Sequence, residues 1–300
     1  MHNAIAVGIC DSSASRTAIR WAVQRASLTG AAVQLVHVLD HQAGQNDPDD
    51  DARRTLLGHD LLTREVWFAR SLATGVAVGA TLLRGSVMWE LTRASTGVDL
   101  IVVGTHKTGF IHGTVYGSTS LQLATAGRCP VVVVPGGTSP GPRSVVVGAD
   151  DSGAGYAAFA VAVGEAFATG QDLVIVRVWK AAEGVSDADA EDADEASRDV
   201  AQRMLAGFAA TARAIHPHLT VRVRAIEGSS ARALVRASAM AQLLVLGSSR
   251  EGRLDSPVLG AVCHDALMNI VSPTAIVHVD EDRAVEGLAG HPGAVLDPIP

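Results

Sequence analysis

Residues Ile101–Ser120 read IVVGTHKTGFIHGTVYGSTS. The run Leu100-Ile101-Val102-Val103 has the length and β-branched character of a buried parallel strand, and Gly104 is expected to end it. Thirteen residues later Gly117-Ser118 opens a helix-like segment, with Gly109 and Gly113 in between. Strand, glycine-rich loop and helix start together form a phosphate-binding arrangement. Backbone N–H groups can turn inward where no Cβ blocks them, and a helix N-terminus adds partial positive charge. The alternative is a connection that needs glycines only to turn.

The pattern occurs twice. Leu243–Ala261 reads LLVLGSSREGRLDSPVLGA, and the pairs Gly104/Gly247, Gly117/Gly260 and Pro130/Pro273 share one spacing of 143 residues. Gly85-Ser86 returns as Gly228-Ser229 at that spacing, while Gly8 and Ser12 return as Gly148 and Ser152 at 140. Self-similarity at a fixed period marks a duplicated domain. Residues 1–137 and 144–280 are expected to be the two copies, joined by residues 138–143 inside a Gly/Pro-dense stretch, with 281–300 a tail of low structural content.

Composition narrows the class. The chain is 48% hydrophobic but only 4% aromatic, so its cores must be built from Ala, Val, Leu and Ile. A formal charge of −7 argues against a nucleic-acid partner, which a basic face would recognise. No apolar run of about 18 residues is present, so no membrane span is expected, and MHNAIAVGICDSS reads into a strand rather than a signal peptide. Cys10, Cys129 and Cys263 are odd in number and contain no CxxC pair, the usage of reduced thiols in a cytoplasmic protein.

Along the chain, strands are expected at Ala4–Cys10, Val33–Leu39, Val76–Leu83, the central run and Val131–Val134. Helices are expected at Ala14–Leu28, Ala52–Thr74, Ser86–Ser95 and from about Gly117 to Ala126. Asp11-Ser12-Ser13 and Ser86 are candidate caps. His41–Asp51 reads as a solvated loop, since its aspartates lack the Gly and Glu that a calcium loop requires. The second copy repeats the order, with the acidic segment Glu183–Glu195 in the place of the aspartate loop. Strand–helix alternation with short connections means a parallel sheet with helices on both faces in each half. The apolar terminal strands Val131–Val134 and Thr274–Val279 would be aggregation-prone if left open, which predicts that they cover one another. A homodimer of chains is then compatible with the sequence but not required by it.

With the duplication, the element order and both loops in view, the chain resembles a tandem universal stress protein over residues 3–280. The resemblance implies an α/β fold of two tandem, doubly wound, five-stranded parallel-sheet (Rossmann-like) domains that pair through their last strands. It also implies ATP as ligand, with Mg2+ as an accompanying ion. The family pattern G-x2-G-x9-G-[ST] falls on Gly104, position 107 and Gly117-Ser118, and again on Gly247, position 250 and Gly260. By this resemblance Gly104, His106, Gly117, Ser118 and Thr119 would hold the phosphates. Val38 and Val103 would lie near base and ribose, with Val178 and Leu246 as their counterparts. The chain departs from the pattern at Lys107 and Arg250, which replace the middle glycine, and at Cys10, which takes the acidic position beside Asp11. The second copy keeps Asp150 but has Ala261 where the family carries a hydroxyl.

Three functions are compatible with these residues. The first is an adenine-nucleotide-binding regulatory protein of the stress response, acting through its conformation or an unidentified protein partner. The second is a dimerisation module with vestigial pockets. The third is a weak ATPase, against which the sequence has no GxxxxGK[ST] loop.

Overall fold

A computed structural model describes residues 3–40, 48–105, 118–137, 144–181, 187–249 and 258–279. The first half runs β1 (Ala4–Gly8), α1 (Ser13–Thr29), β2 (Ala32–Leu39), α2 (Pro48–Leu72), β3 (Val78–Arg84), α3 (Val87–Ala94), β4 (Leu100–Thr105), α4 (Ser118–Ala126) and β5 (Val131–Pro135). The second half repeats it as β6 (Ser144–Gly148), α5 (Gly153–Thr169), β7 (Asp172–Trp179), α6 (Asp187–Ile215), β8 (Val221–Glu227), α7 (Ser230–Ala237), β9 (Leu243–Ser248), α8 (Ala261–Met268) and β10 (Thr274–His278). Among the described residues no helix is long and apolar enough to cross a membrane.

The ten strands form one sheet in the order β3-β2-β1-β4-β5-β10-β9-β6-β7-β8. Within each half all pairings are parallel, and the halves join where β10 runs antiparallel to β5, with Ala275 opposite Val132. The terminal strands therefore cover each other. The period of two along β5 sends Val132 and Val134 into the core under α1, α2, α5 and α6, and Val131 and Val133 into the core under the other four helices. Both cores run across the junction.

Capping explains where α1 and α5 begin. Ser12 Oγ accepts from Ser15 N–H at 3.2 Å, and Ser152 Oγ accepts from Gly155 N–H at 3.0 Å. Each helix ends on a glycine in the left-handed region, Gly30 at φ 70° and Gly170 at φ 64°. Three local expectations need correction. The central strand does not stop at Gly104: Gly104 pairs with Val134 and Thr105 with Pro135, so β4 runs on past the glycine. Asp49, Asp50 and Asp51 are not loop but the first turn of α2, where carboxylates meet the positive end of the helix dipole and Pro48 loses no needed hydrogen bond. The acidic segment of the second half is likewise helical from Asp187 onward. Ser86 does occupy the cap position of α3, but its hydroxyl makes no capping bond.

The junction contains a pair that duplication made available. Arg25 of α1 and Glu165 of α5 sit at equivalent positions of the two halves and meet across the pseudo-twofold axis, with Nη2–Oε2 and Nε–Oε1 both 2.8 Å. Two identical chains would place like charges there. Both side chains are largely buried, at 19% and 11% exposure. Glu165→Gln is accordingly expected to cost about 3 kcal/mol, because it leaves a buried guanidinium without its counter-charge. The double exchange Arg25→Glu with Glu165→Arg is expected to recover most of that loss in urea denaturation.

Candidate functional site

In an open parallel sheet, ligands sit at the carboxyl ends of the strands where neighbouring connections leave in opposite directions. Here that point lies between β1 and β4 in the first half and between β6 and β9 in the second. The structure brings Cys10, Val38, Val103 and Gly104 to the first of these ends, and Asp150, Val178, Leu246, Gly247 and Gly260 to the second. Val103 Cγ1 lies over Gly8, 3.1 Å from where a Cβ would stand, and Leu246 Cδ2 lies over Gly148 at 3.2 Å. Val38 and Val103 are buried, 8% and 5% exposed, in the core below α3 and α4. Leu246 and the half-buried Val178 occupy the matching place below α7.

Gly104 and Gly247 have a definite structural task. A Cβ on Gly104 would run into the carbonyl oxygen of Ala14, and one on Gly247 into that of Ala154, with Gly155 N also within 2.9 Å. These glycines let the first turn of α1 or α5 settle directly against β4 or β9. Ser120 Oγ donates to Gly104 O at 3.4 Å, and Cys263 Sγ donates to Gly247 O at 3.2 Å, so α4 and α8 are tied to the same carbonyls. Burial pushes the Cys263 thiol up to about 12, which keeps it neutral and suited only to this donor role. Gly260 caps α8, and its N–H donates to Ser248 Oγ at 3.3 Å. Ser118 and Thr119 open α4, with Thr119 exposed. His106, Lys107, Gly117 and Arg250 lie outside the described residues.

The strand-end groups of the two halves differ in chemistry. Asp150 Oδ1 accepts from Ser152 N–H at 2.9 Å and also from the Ser152 hydroxyl. That arrangement requires Gly155, since a Cβ there would overlap the carboxylate. At the equivalent place in the first half Ser15 fills this space. Cys10 N–H donates to Ser15 Oγ at 2.9 Å, and Cys10 Sγ stands 3.4 Å from Ser12 Oγ and 3.5 Å from Ser15 Oγ. The first pocket thus has a thiol–hydroxyl cluster where the second has a carboxylate. Ser15, which with Ser12 fixes the register of Cys10 in the sequence, and Gly155 were not among the expected pocket residues, although their alignment at the same spacing as Cys10 and Asp150 marks the two positions as exchanged together.

Asp11 is engaged elsewhere. Its carboxylate accepts from Arg64 Nη2 of α2 at 2.6 Å, and Arg64 Nε donates to Glu65 at 3.0 Å. Glu65 is almost fully buried and is also gripped by Arg16 Nε and Nη2 at 3.1 Å. The hydrogen bond to Glu65, with the nearby Asp11 charge, holds the Arg64 guanidinium above its ordinary range. In the second half Tyr156 and Phe208 replace Arg16 and Glu65, their rings 5.3 Å apart. One α-helical pair is therefore joined by ions and the other by aromatics, and only the ionic one reaches the strand-end turn.

Comparison with known proteins places these observations. The sequence model of the universal stress protein family matches residues 1–135 and again residues 142–278. A universal stress protein of Mycolicibacterium smegmatis is 28% identical over 289 residues, which is 91% of this chain and 96% of that protein. The universal stress protein Rv2623 of Mycobacterium tuberculosis is 30% identical over 277 residues, 86% of this chain and 90% of its own length. Among solved structures, a universal stress protein from Archaeoglobus fulgidus superposes with a TM-score of 0.70 at 16% identity, covering 93% of this chain and 99% of the other. The chain belongs to the universal stress protein family and carries two copies of its α/β domain in tandem.

Proposed function

We propose that this chain binds an adenine nucleotide, ATP in the first instance, and acts as a regulatory protein whose nucleotide-dependent conformation is read by a protein partner. The observation that carries this reading is Asp150. It is a carboxylate pre-positioned by Ser152, at a strand end, in space that only Gly155 leaves open. A fixed carboxylate of this kind suits the hydroxyls of a sugar, and the N-termini of α4 and α8 suit phosphate oxygens. The residues present therefore fit the group. Asp150, Val178, Leu246, Gly247 and Gly260 would hold it in the second half, with Arg250 supplying positive charge. Cys10, Asp11, Val38, Val103, Gly104, His106, Lys107, Gly117, Ser118 and Thr119 would do so in the first. Mg2+ would accompany a bound triphosphate, its charge answered by the phosphates. A cytoplasmic setting is supported by three cysteines that are all free thiols.

Isothermal titration with ATP, combined with mass spectrometry of gently purified protein, tests the reading. Saturable binding is expected, and Asp150→Asn is expected to weaken the second site about tenfold, the loss of a charged hydrogen-bond acceptor. Gly117→Val is expected to reduce binding at the first site with little change in melting temperature. Folded protein that neither retains nor takes up nucleotide overturns the proposal in favour of a dimerisation module with vestigial pockets.

A further inference from the structure

The sheet has two outer edges, β3 and β8, and among the described residues each pairs with one neighbour only. In the β3 region, Ala77 O accepts from Val33 N–H and Gly85 N–H donates to Leu39 O. Alternation then turns the peptide groups of Val78, Ala80, Leu82 and Arg84 to the open side. Arg70 of α2 donates to Val78 O at 3.1 Å, and Arg213 of α6 donates to Val221 O at 3.0 Å, so each edge is covered at the same end. What stays open is a short row of donors and acceptors, a template for a further strand.

The two edges share a backbone and differ in side chains. A twofold axis joining a strand to its own copy places the central residue opposite itself. If the Ala80 and Leu82 peptide groups make the hydrogen bonds, the centre is a non-hydrogen-bonded pair, with Cα atoms about 4.5 Å apart and side chains closest. In β8 this puts Arg224 against Arg224, with Arg222 two residues away on the same face and already paired to Asp172. Like charges directly opposite are destabilising. In β3 the same position holds Thr81, and Thr–Thr pairs are favourable. Arg84, the one charged residue of β3, would lie opposite Val78 of the other copy, about 20 Å from its own counterpart at about 3.4 Å per residue. Its guanidinium is already engaged by Asp51 at 2.7 Å and by Thr55 of α2.

The neighbouring helices differ in the same sense. Both edges have a groove between helix and strand, about 310 Å³ at β3 and about 620 Å³ at β8. Only the β3 groove, lined by Val66, Ala80 and Leu82 among others, has a tryptophan at its rim, Trp67 of α2, 72% exposed. The residue at the corresponding position of α6 is Ala210. A twofold axis perpendicular to the sheet keeps both α2 helices on one face, so the two Trp67 rings would flank the joint and cover each other's grooves.

We propose that β3 is an assembly edge, on which two copies of this chain pair antiparallel about an axis at Thr81. Two ten-stranded sheets thereby become one, while Arg224 guards β8 against the same event. The assembly is independent of nucleotide. Sedimentation equilibrium of the full chain at high micromolar concentration is expected to give the mass of two chains. Thr81→Arg, which copies the β8 residue, is expected to raise the dimer dissociation constant tenfold or more without loss of secondary structure. Thr81→Val is expected to leave it unchanged. Amide exchange at Ala80 and Leu82 should slow as concentration rises in the wild type and not in the arginine variant. A wild-type monomer, a dimer that survives Thr81→Arg, or open-ended polymers would each overturn the proposal.

Discussion

Gly247→Ala is expected to destabilise the protein by about 3 kcal/mol or more, whereas Gly164→Ala is expected to stabilise it by about 0.5–1 kcal/mol. The substitution is the same, and the surroundings decide its sign. A methyl group on Gly247 would overlap the Ala154 carbonyl oxygen, a backbone atom held in the first turn of α5 and unable to move without lifting the helix from β9. Gly164 lies mid-helix with no atom within 4 Å of the added carbon, and alanine there reduces only the conformational freedom of the unfolded chain. Gly104→Ala should behave like Gly247→Ala, because its Cβ meets the Ala14 carbonyl in the same way. Chemical denaturation of the three variants is the measurement. A Gly247→Ala protein as stable as wild type would mean that the α5–β9 contact is looser than its geometry. These glycines then bear on the pocket indirectly, since they set how deeply the α1 and α5 N-termini reach toward the strand ends.

The duplication, the alternation of strands and helices, and the closure of β5 by β10 were all legible in residue patterns, for a shared reason. Each is written in hydrophobic periodicity or in a repeated spacing, and CPVVVVP has no stable exposure to water. Boundaries that depend on tertiary contact were not legible. Gly104 looked like a strand terminator by propensity, yet β5 on one side and α1 on the other keep it in the ladder. Asp49–Asp51 looked like loop because three aspartates with a proline are poor helix formers in isolation, but they favour a first turn. Ser86 carries the sequence signature of a cap and its carbonyl accepts from Glu90 N–H at 3.0 Å, but its hydroxyl makes no capping bond. Within the site, Asp11 stands next to Cys10 in sequence, and its ion pair with Arg64 of α2, far away in sequence, could not be read from that adjacency.

Cys10→Asp alone is expected to fail to give the first half a carboxylate like Asp150, and Cys10→Asp with Ser15→Gly is expected to succeed. In the second half Asp150 lies where any side chain at position 155 would overlap it. In the first half Ser15 has that side chain, with its Oγ accepting from Cys10 N–H at 2.9 Å. A carboxylate introduced beside it must either turn outward to solvent or displace the serine. The single variant should therefore lose about 1–2 kcal/mol of stability, within the usual range for an overpacked site. The double variant should lose less than its two singles combined, with a coupling of about 1 kcal/mol. If the nucleotide reading is correct, only the double variant should also tighten the first site, by about tenfold, the worth of one hydrogen bond to a charged group. Stability and affinity here report on different claims. Non-additive stability without any gain in affinity would uphold the exchange of residue pairs while placing the sugar elsewhere. Strictly additive stability would show that Ser15 does not occupy the carboxylate's place, and the difference between the two pockets would then need another origin.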